Sequence, residues 1–337
     1  MFSDSFRKCA FLSGVSIFLC LASPIVHAQA TSKTIHIGVL LSGSESEWAP
    51  LERALVRGLE ERGYIEGSNL VLIRRYGELQ GARIRSSAAE LAAMHVDAIV
   101  TSCTTTTRAA ASAAPVTPIV MGSMPDPVGA GFAVSLPRPG GYITGRGGLG
   151  LDFLVKRLEI LRILLPENAR AGARIAVLMN GQDPAHEAAW RAAEPGARML
   201  NLALVRIEAN GAAGLDHALD LLGRADVKAL LVFSDDPVMI EFRSRIAAAA
   251  IRHGLPSISG PRLFAEAGGL ISYGADMADD YRLSAAHVVK VATGVSPATL
   301  PIEQATRFPM TINLKTAAAL RIKVPSELLI RADATVQ

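Results

Sequence analysis

Cysteine is scarce in this sequence: the 337 residues hold three, Cys9, Cys20 and Cys103, and the first two fall in a segment that reads as a leader. A single remaining cysteine, Cys103, excludes an intramolecular disulfide. A chain of about 300 residues buries enough surface to fold without one. Charge of one sign is lacking too. The 34 basic and 31 acidic residues fall to 32 and 30 once the leader is removed. No Lys/Arg cluster forms the stripe that a phosphate backbone requires, so a nucleic-acid partner is not expected. Long apolar runs are also missing. The longest candidate, Ala10 to Ala22, spans 13 residues, short of the roughly 20 a membrane-crossing helix needs. Preceded by Arg7 and Lys8 and followed by Pro24 and the small-residue site Val26-His27-Ala28, it has the layout of a secretory signal peptide over residues 1–28. A mature chain starting near Gln29 and a periplasmic location are expected. Cys20 follows Leu19, where a lipid-modified cysteine would need a small neighbour.

Catalytic motifs are thin. There is no G-K-[ST] phosphate loop, no H-E-x-x-H and no G-x-S-x-G in the mature chain. His36, His95, His186, His217, His253 and His287 lack metal-ligand spacing, so no metal or cofactor is expected. Cys103 is the one candidate nucleophile, and no histidine is placed by sequence to act as its base. Gly145, Gly147 and Gly150 satisfy G-x-G-x-x-G. They come midway, after a Pro- and Gly-rich stretch and without a clear preceding strand, so they read as a flexible hinge or crossover rather than a dinucleotide loop.

What is present is half apolar residues, arranged as short strand-like runs alternating with amphipathic stretches. That pattern predicts parallel sheets covered by helices on both faces. Strands are expected at Ile35–Leu41, Asn69–Ile73, Asp97–Val100 and Pro118–Met121, with helices between them. The plan repeats from Arg174–Met179 through Leu202–Ile207, Lys228–Phe233 and Pro256–Ser259, with one helix over Asp236–His253. The fold class is therefore α/β, two doubly wound parallel-sheet lobes with a central cleft. One lobe takes residues 33–145 with about 275–300, the other 146–274 with about 301–337, and the stretch Pro137–Gly150 is the first crossover.

Each lobe ends its strands in polar tips: Ser42-Gly43-Ser44 and Asn180-Gly181, Cys103-Thr104-Thr105 and Ser234-Asp235-Asp236, Gly122-Ser123 and Ser259-Gly260. Ligands of open parallel sheets bind at these carboxyl ends. Thr104, as helix N-cap, would place free N–H groups toward a solute carboxylate, and with Asp126 and Asp236 as the candidate carboxylates, one from the lobe opposite Thr104 would take an ammonium group, although each of the three could simply cap. The ligand-binding candidates are Ser42, Cys103, Thr104, Thr105, Asp126, Asn180, Asp236, Gly260 and Tyr273.

Several stretches are shared with a known family: Gly58-Leu59 with Arg62-Gly63-Tyr64-Ile65-Glu66-Gly67, Pro118-Ile119-Val120-Met121 with Asp126-Pro127-Val128-Gly129, Ser135-Leu136 with Arg138-Pro139-Gly140-Gly141, Lys156-Arg157-Leu158-Glu159, Glu266-Ala267-Gly268-Gly269-Leu270, Ser272-Tyr273-Gly274 and Ile312-Asn313-Leu314-Lys315-Thr316-Ala317. From about Ile35 to Ala332 the chain resembles the substrate-binding proteins of ABC importers of the tryptophan/tyrosine transport type. The resemblance implies a type I periplasmic binding fold with three crossovers, a small-molecule solute such as an amino acid or similar small acid, a membrane permease as partner, and no enzymatic activity. A monomer is expected. By position, Thr104, Asp126, Asn180 and Asp236 match the family's polar tips. Cys103 stands where the family has glycine and Tyr142 where it has asparagine. A sensory binding protein with the same fold, and an exported cysteine-dependent enzyme, are the alternatives.

Overall fold

Aliphatic, β-branched Ile35–Leu41 forms strand β1, buried along all but one residue because it lies inside a sheet covered on both faces. The computed structural model describes residues 34–148, 152–233 and 236–337. The expected leader 1–28, Gly150 of the glycine motif and the tip residues Ser234 and Asp235 lie outside the described residues. After β1, helix α1 (Glu45–Glu60) buries Trp48, Leu51, Leu55, Gly58 and Leu59 on one face. Beyond its end, Gly63 turns the chain at φ +81°. Then follow β2 (Leu70–Tyr76), α2 (Gly81–Ala93), β3 (Ala98–Thr101), α3 (Thr104–Ala113), β4 (Ile119–Met124) and β5 (Ile143–Gly147). These five strands are parallel, in the order β2-β1-β3-β4-β5.

The second lobe opens with α4 (Asp152–Leu164), α5 (Glu167–Arg170), β6 (Ala173–Met179), α6 (Pro184–Met199), β7 (Leu202–Glu208), α7 (Gly211–Leu222) and β8 (Ala229–Val232). It continues through α8 (Pro237–Glu241), α9 (Arg243–Arg252), β9 (Ser257–Ser259), α10 (Arg262–Glu266) and β10 (Ile271–Tyr273). The chain then returns to the first lobe, where α11 (Met277–Ala292) packs on α1 and β4. Gly58 permits this packing, since a side chain there would collide with the Arg282 carbonyl. A third crossover leads to β11 (Met310–Asn313), α12 (Leu314–Ala319), α13 (Ser326–Arg331) and β12 (Ala334–Val336). The second sheet has the order β12-β11-β10-β9-β8-β6-β7.

Three expectations need correction. Gly145 and Gly147 are not a hinge: they sit in β5, buried between neighbours, at φ +129° and +156°. A Cβ at either would run into the β4 backbone at Met121 or Met124, so glycine is required by close strand approach and not by flexibility. The first lobe's sheet accordingly continues through Gly147, so the crossover does not start at Pro137. The helix expected over Asp236–His253 breaks at Phe242. The break lets α8 turn Ile240 into the first lobe's core while α9 packs Ile246 and Ala250 in the second. Finally, the second sheet is not wholly parallel, because β11 enters from the other lobe and pairs antiparallel with β10.

Candidate functional site

The carboxyl ends of the strands in both lobes open on one cleft of about 650 Å³. The first lobe contributes Ser102 and Cys103 beyond β3, Ser123 in β4 and Asp126 beyond it. From the second come Phe153, Leu154 and Arg157, one face of α4 by their three- and four-residue spacing. Ala185, Ala188 and Ala189 form a similar face on α6; having only methyl side chains, they leave space that larger residues would fill. Phe233 and Gly260 close the wall behind β8 and β9.

Several aromatic rings are set by residues outside the cleft. Phe153 stacks on Phe308 with centroids 4.1 Å apart and meets the edge of Tyr273 at 6.1 Å. Tyr273 does not line the cleft. Its carbonyl accepts from Arg157 Nε at 2.8 Å, which ties the guanidinium to the end of β10. Phe233 packs edge-on to His186 at 5.5 Å, and His186 Nδ1 accepts the Asn180 N–H at 2.9 Å.

Of the other sequence candidates, Cys103, Asp126 and Gly260 reach the cleft. Ser42 lies buried behind it, where its N–H donates to Ser102 Oγ at 3.0 Å, so Ser102 presents this tip to the cleft. Thr104 is not the N-cap of α3. Cys103 is, and Thr106 completes the cap by accepting the Cys103 N–H on Oγ1 at 3.0 Å. Thr104 Oγ1 turns to Met124 Sδ at 3.5 Å, and Thr105 is exposed. Asp236 caps α8 by accepting the Val238 N–H at 2.7 Å, and its other oxygen accepts from Asn180 Nδ2 at 2.8 Å. Both its oxygens are thus spent inside the lobe, and neither Asp236 nor Asn180 lines the cleft. Asp126 accepts the Gly129 N–H on Oδ1 at 2.8 Å, which folds its exposed carboxylate back over its own turn with Oδ2 beside Gly129. Sequence reasoning assigned no role to Ser102, Phe153 or Arg157. Arg157 stood inside a shared stretch, and the 153/154/157 spacing was the signal available.

Ser123 connects the cleft to a buried ion pair. Its Oγ donates to Asp280 Oδ2 at 3.0 Å, and Asp280 Oδ1 accepts from Arg146 Nε at 2.8 Å. Arg146 also reaches Glu303 Oε2 at 3.1 Å and the Gln304 carbonyl at 3.4 Å. Burial pushes the Asp280 carboxyl above its ordinary range, although Arg146 and Ser123 pull it down. The lobes also touch directly: Glu241 Oε2 accepts the Ser44 N–H and the Trp48 Nε1–H, both at 3.1 Å, and Arg243 Nη1 meets Glu47 Oε2 at 2.8 Å.

Next to this network, burial lowers the pKa of His287 below its ordinary 6.5. Its Nε2 lies 3.0 Å from the Pro301 carbonyl and 4.0 Å from Glu303, whose charge opposes the shift, while Lys290 and Arg146 add to it. A base with a depressed folded-state pKa leaves stability intact above pH 6.5 and removes it as pH falls from there toward the folded value. His287→Gln, which keeps a donor for Pro301, is expected to flatten the fall in urea midpoint between about pH 7.5 and 5.5. An unchanged slope would place the titration elsewhere.

Residues 44–336 match the family model described as ABC transporter substrate binding protein. A tyrosine-binding protein of Clostridioides difficile (strain R20291) is 24% identical over 271 residues, covering 80% of this chain and 76% of that protein. Two solved structures share the fold: a conserved domain protein from Vibrio cholerae, at 24% identity and TM-score 0.82, and an ABC domain in complex with L-Trp from Streptococcus pneumonia, at 22% and 0.81. Each covers 90% of this chain and 100% of its own. With a family match over nearly all described residues, and two α/β lobes closing on one cleft, this chain belongs to the ABC transporter substrate-binding protein family and captures a small solute for an importer.

Proposed function

We propose that the solute is an amino acid with a large apolar or aromatic side chain. The observation that carries this is a cleft whose opposite walls bear opposite charges, Asp126 from the first lobe and Arg157 from the second, with Phe153, Phe233, Ile240 and Met277 around it. Asp126 takes the α-ammonium group and Arg157 the α-carboxylate, while the side chain lies against the rings. Compared with the clamp expected from sequence, the polarity is reversed: the acid stands on the first lobe and the cation on the second. The tyrosine- and tryptophan-binding relatives support the same solute class. Because a zwitterion supplies both charges, its binding favours the closed arrangement. The protein works outside the cytoplasmic membrane after export through its leader, as a monomer, and hands the solute unaltered to a permease.

The test is thermal unfolding of mature protein, freed of carried-over ligand by unfolding and refolding, against a panel of amino acids. A ligand at about 100 times its Kd should stabilise by roughly 2.7 kcal/mol. Asp126→Asn and Arg157→Gln are each expected to weaken binding about tenfold. The amine-free analogue of the same amino acid should lose affinity for wild type and little more for Asp126→Asn. No shift with any amino acid would overturn the solute class, and undiminished binding in both variants would overturn the clamp.

A further inference from the structure

A second cavity, of about 570 Å³, is walled by both lobes and by the segments that join them. Its acids are all engaged. Asp276 caps α11 by accepting the Ala278 N–H at 2.9 Å, Asp279 and Asp280 hold Arg282 and Arg146, each at 2.8 Å, and Asp333 accepts the Met310 N–H at 2.8 Å. Three of its cations are not. Arg53 and Arg57 lie one turn apart on α1, exposed, and Arg307 lies in the third crossover. Among the described residues none of the three side chains has an ion pair or hydrogen bond.

A polar group lining the cavity is also unmatched. Thr311, in β11, lines the cavity at 1% exposure, and its buried Oγ1 has no hydrogen-bond partner among the described residues. A buried hydroxyl without a partner is uncommon in folded proteins and is met when a polar ligand enters. Three guanidinium groups without a carboxylate, in a concave site with a spare hydroxyl, have the donor set that multiply charged oxyanions select. The geometry points to a site for a small oxyanion of the phosphate class, separate from the solute cleft. Arg53 and Arg57 hold it from the first lobe, Arg307 and Thr311 from the other side of the junction, so the anion bridges the two.

The experiment is calorimetric titration of the mature protein, dialysed free of other oxyanions, with inorganic phosphate and with pyrophosphate at an ionic strength held constant by chloride. Saturable binding is expected. It should weaken by roughly tenfold or more in Arg53→Ala/Arg57→Ala, and again in Arg307→Ala alone, because all three residues are exposed and their loss leaves the core intact. Thr311→Val should weaken phosphate binding while raising the thermal midpoint measured without phosphate, two effects that a purely structural role would not combine. Heats indistinguishable from chloride dilution, or equal affinity in wild type and the double arginine variant, would overturn the site. Solute binding in the cleft is measured separately, so failure of the amino-acid reading leaves this outcome readable.

Discussion

Arg146→Met should destabilise the folded protein by roughly 3–5 kcal/mol, because it strands a buried carboxylate. Arg146 and Asp280 have side chains only 6% and 4% exposed, and they meet at 2.8 Å. Without the guanidinium, Asp280 keeps Ser123 alone as a side-chain hydrogen-bond partner among the described residues, too little to replace the lost hydration of an ion. For lobes of this size the loss corresponds to a drop of about 10 °C in thermal midpoint. The pH dependence identifies the cause. A carboxyl whose folded-state pKa is raised above its unfolded value makes the folded state the stronger proton binder, so stability is full below the unfolded value and falls as pH rises through the folded one. Burial already holds the Asp280 carboxyl above its ordinary 3.8, and removing Arg146 pushes it further up. The variant should therefore regain stability as pH falls from about 7 toward 5, relative to wild type. Adding Asp280→Asn to Arg146→Met should recover at least about half of the loss and abolish that recovery with acid. Equal stability of wild type and Arg146→Met would mean that water satisfies the site.

Glu241→Ala should weaken solute binding by roughly ten- to a hundredfold without touching the solute. Ser44 begins α1 with no side-chain cap of its own. The Glu241 carboxylate, from the opposite lobe, fills that place, accepting both the Ser44 N–H and the Trp48 indole N–H at 3.1 Å. A carboxylate at the start of a 16-residue helix also meets the positive end of its dipole. Hydrogen bonds to a charged group contribute about 1.5–3 kcal/mol, and these two join one lobe to the other. Their loss lowers the population of the closed, binding-competent form, so the apparent affinity falls by the same factor. The thermal midpoint of the ligand-free protein should stay within about 1 °C if the latch is absent from the open form. A matching loss of midpoint and affinity would instead make Glu241 a plain structural residue. Glu241→Gln, which retains an acceptor without the charge, should fall between.

Much of the architecture was legible in order along the chain. The β1 run Ile35–Leu41, the buried face at Leu51, Leu55 and Leu59, and the turn at Gly63 follow from apolar spacing and the left-handed backbone, both local properties. The repeat of that pattern after Arg174 announced a second lobe. Gly145 and Gly147 misled because a glycine required by a neighbouring strand has the same letter as one in a hinge. The partner, the Met121–Met124 backbone, lies about two dozen residues earlier, and no local signal marks it. The break at Phe242 was hidden for a similar reason, since the apolar positions run on through α8 and α9, and only packing sends Ile240 to one core and Ile246 to the other.

The site divides along the same line. Polar residues at strand ends could be located from sequence, and Cys103, Asp126 and Gly260 do reach the cleft. Sequence could not say which tips turn inward to satisfy one another, as Ser42 does with Ser102 and Asp236 with Asn180. Nor could it bring Arg157 of α4 and Asp126 to one cleft, or Glu241 to the start of α1, pairs set by how the two lobes pack. The sequence by itself determined strand and helix order, the doubling of the lobes and the family, because backbone periodicity and turn chemistry are local. Only the tertiary structure decided which polar groups are spent on each other, because hydrogen-bond partners tens to hundreds of residues apart are assigned by packing.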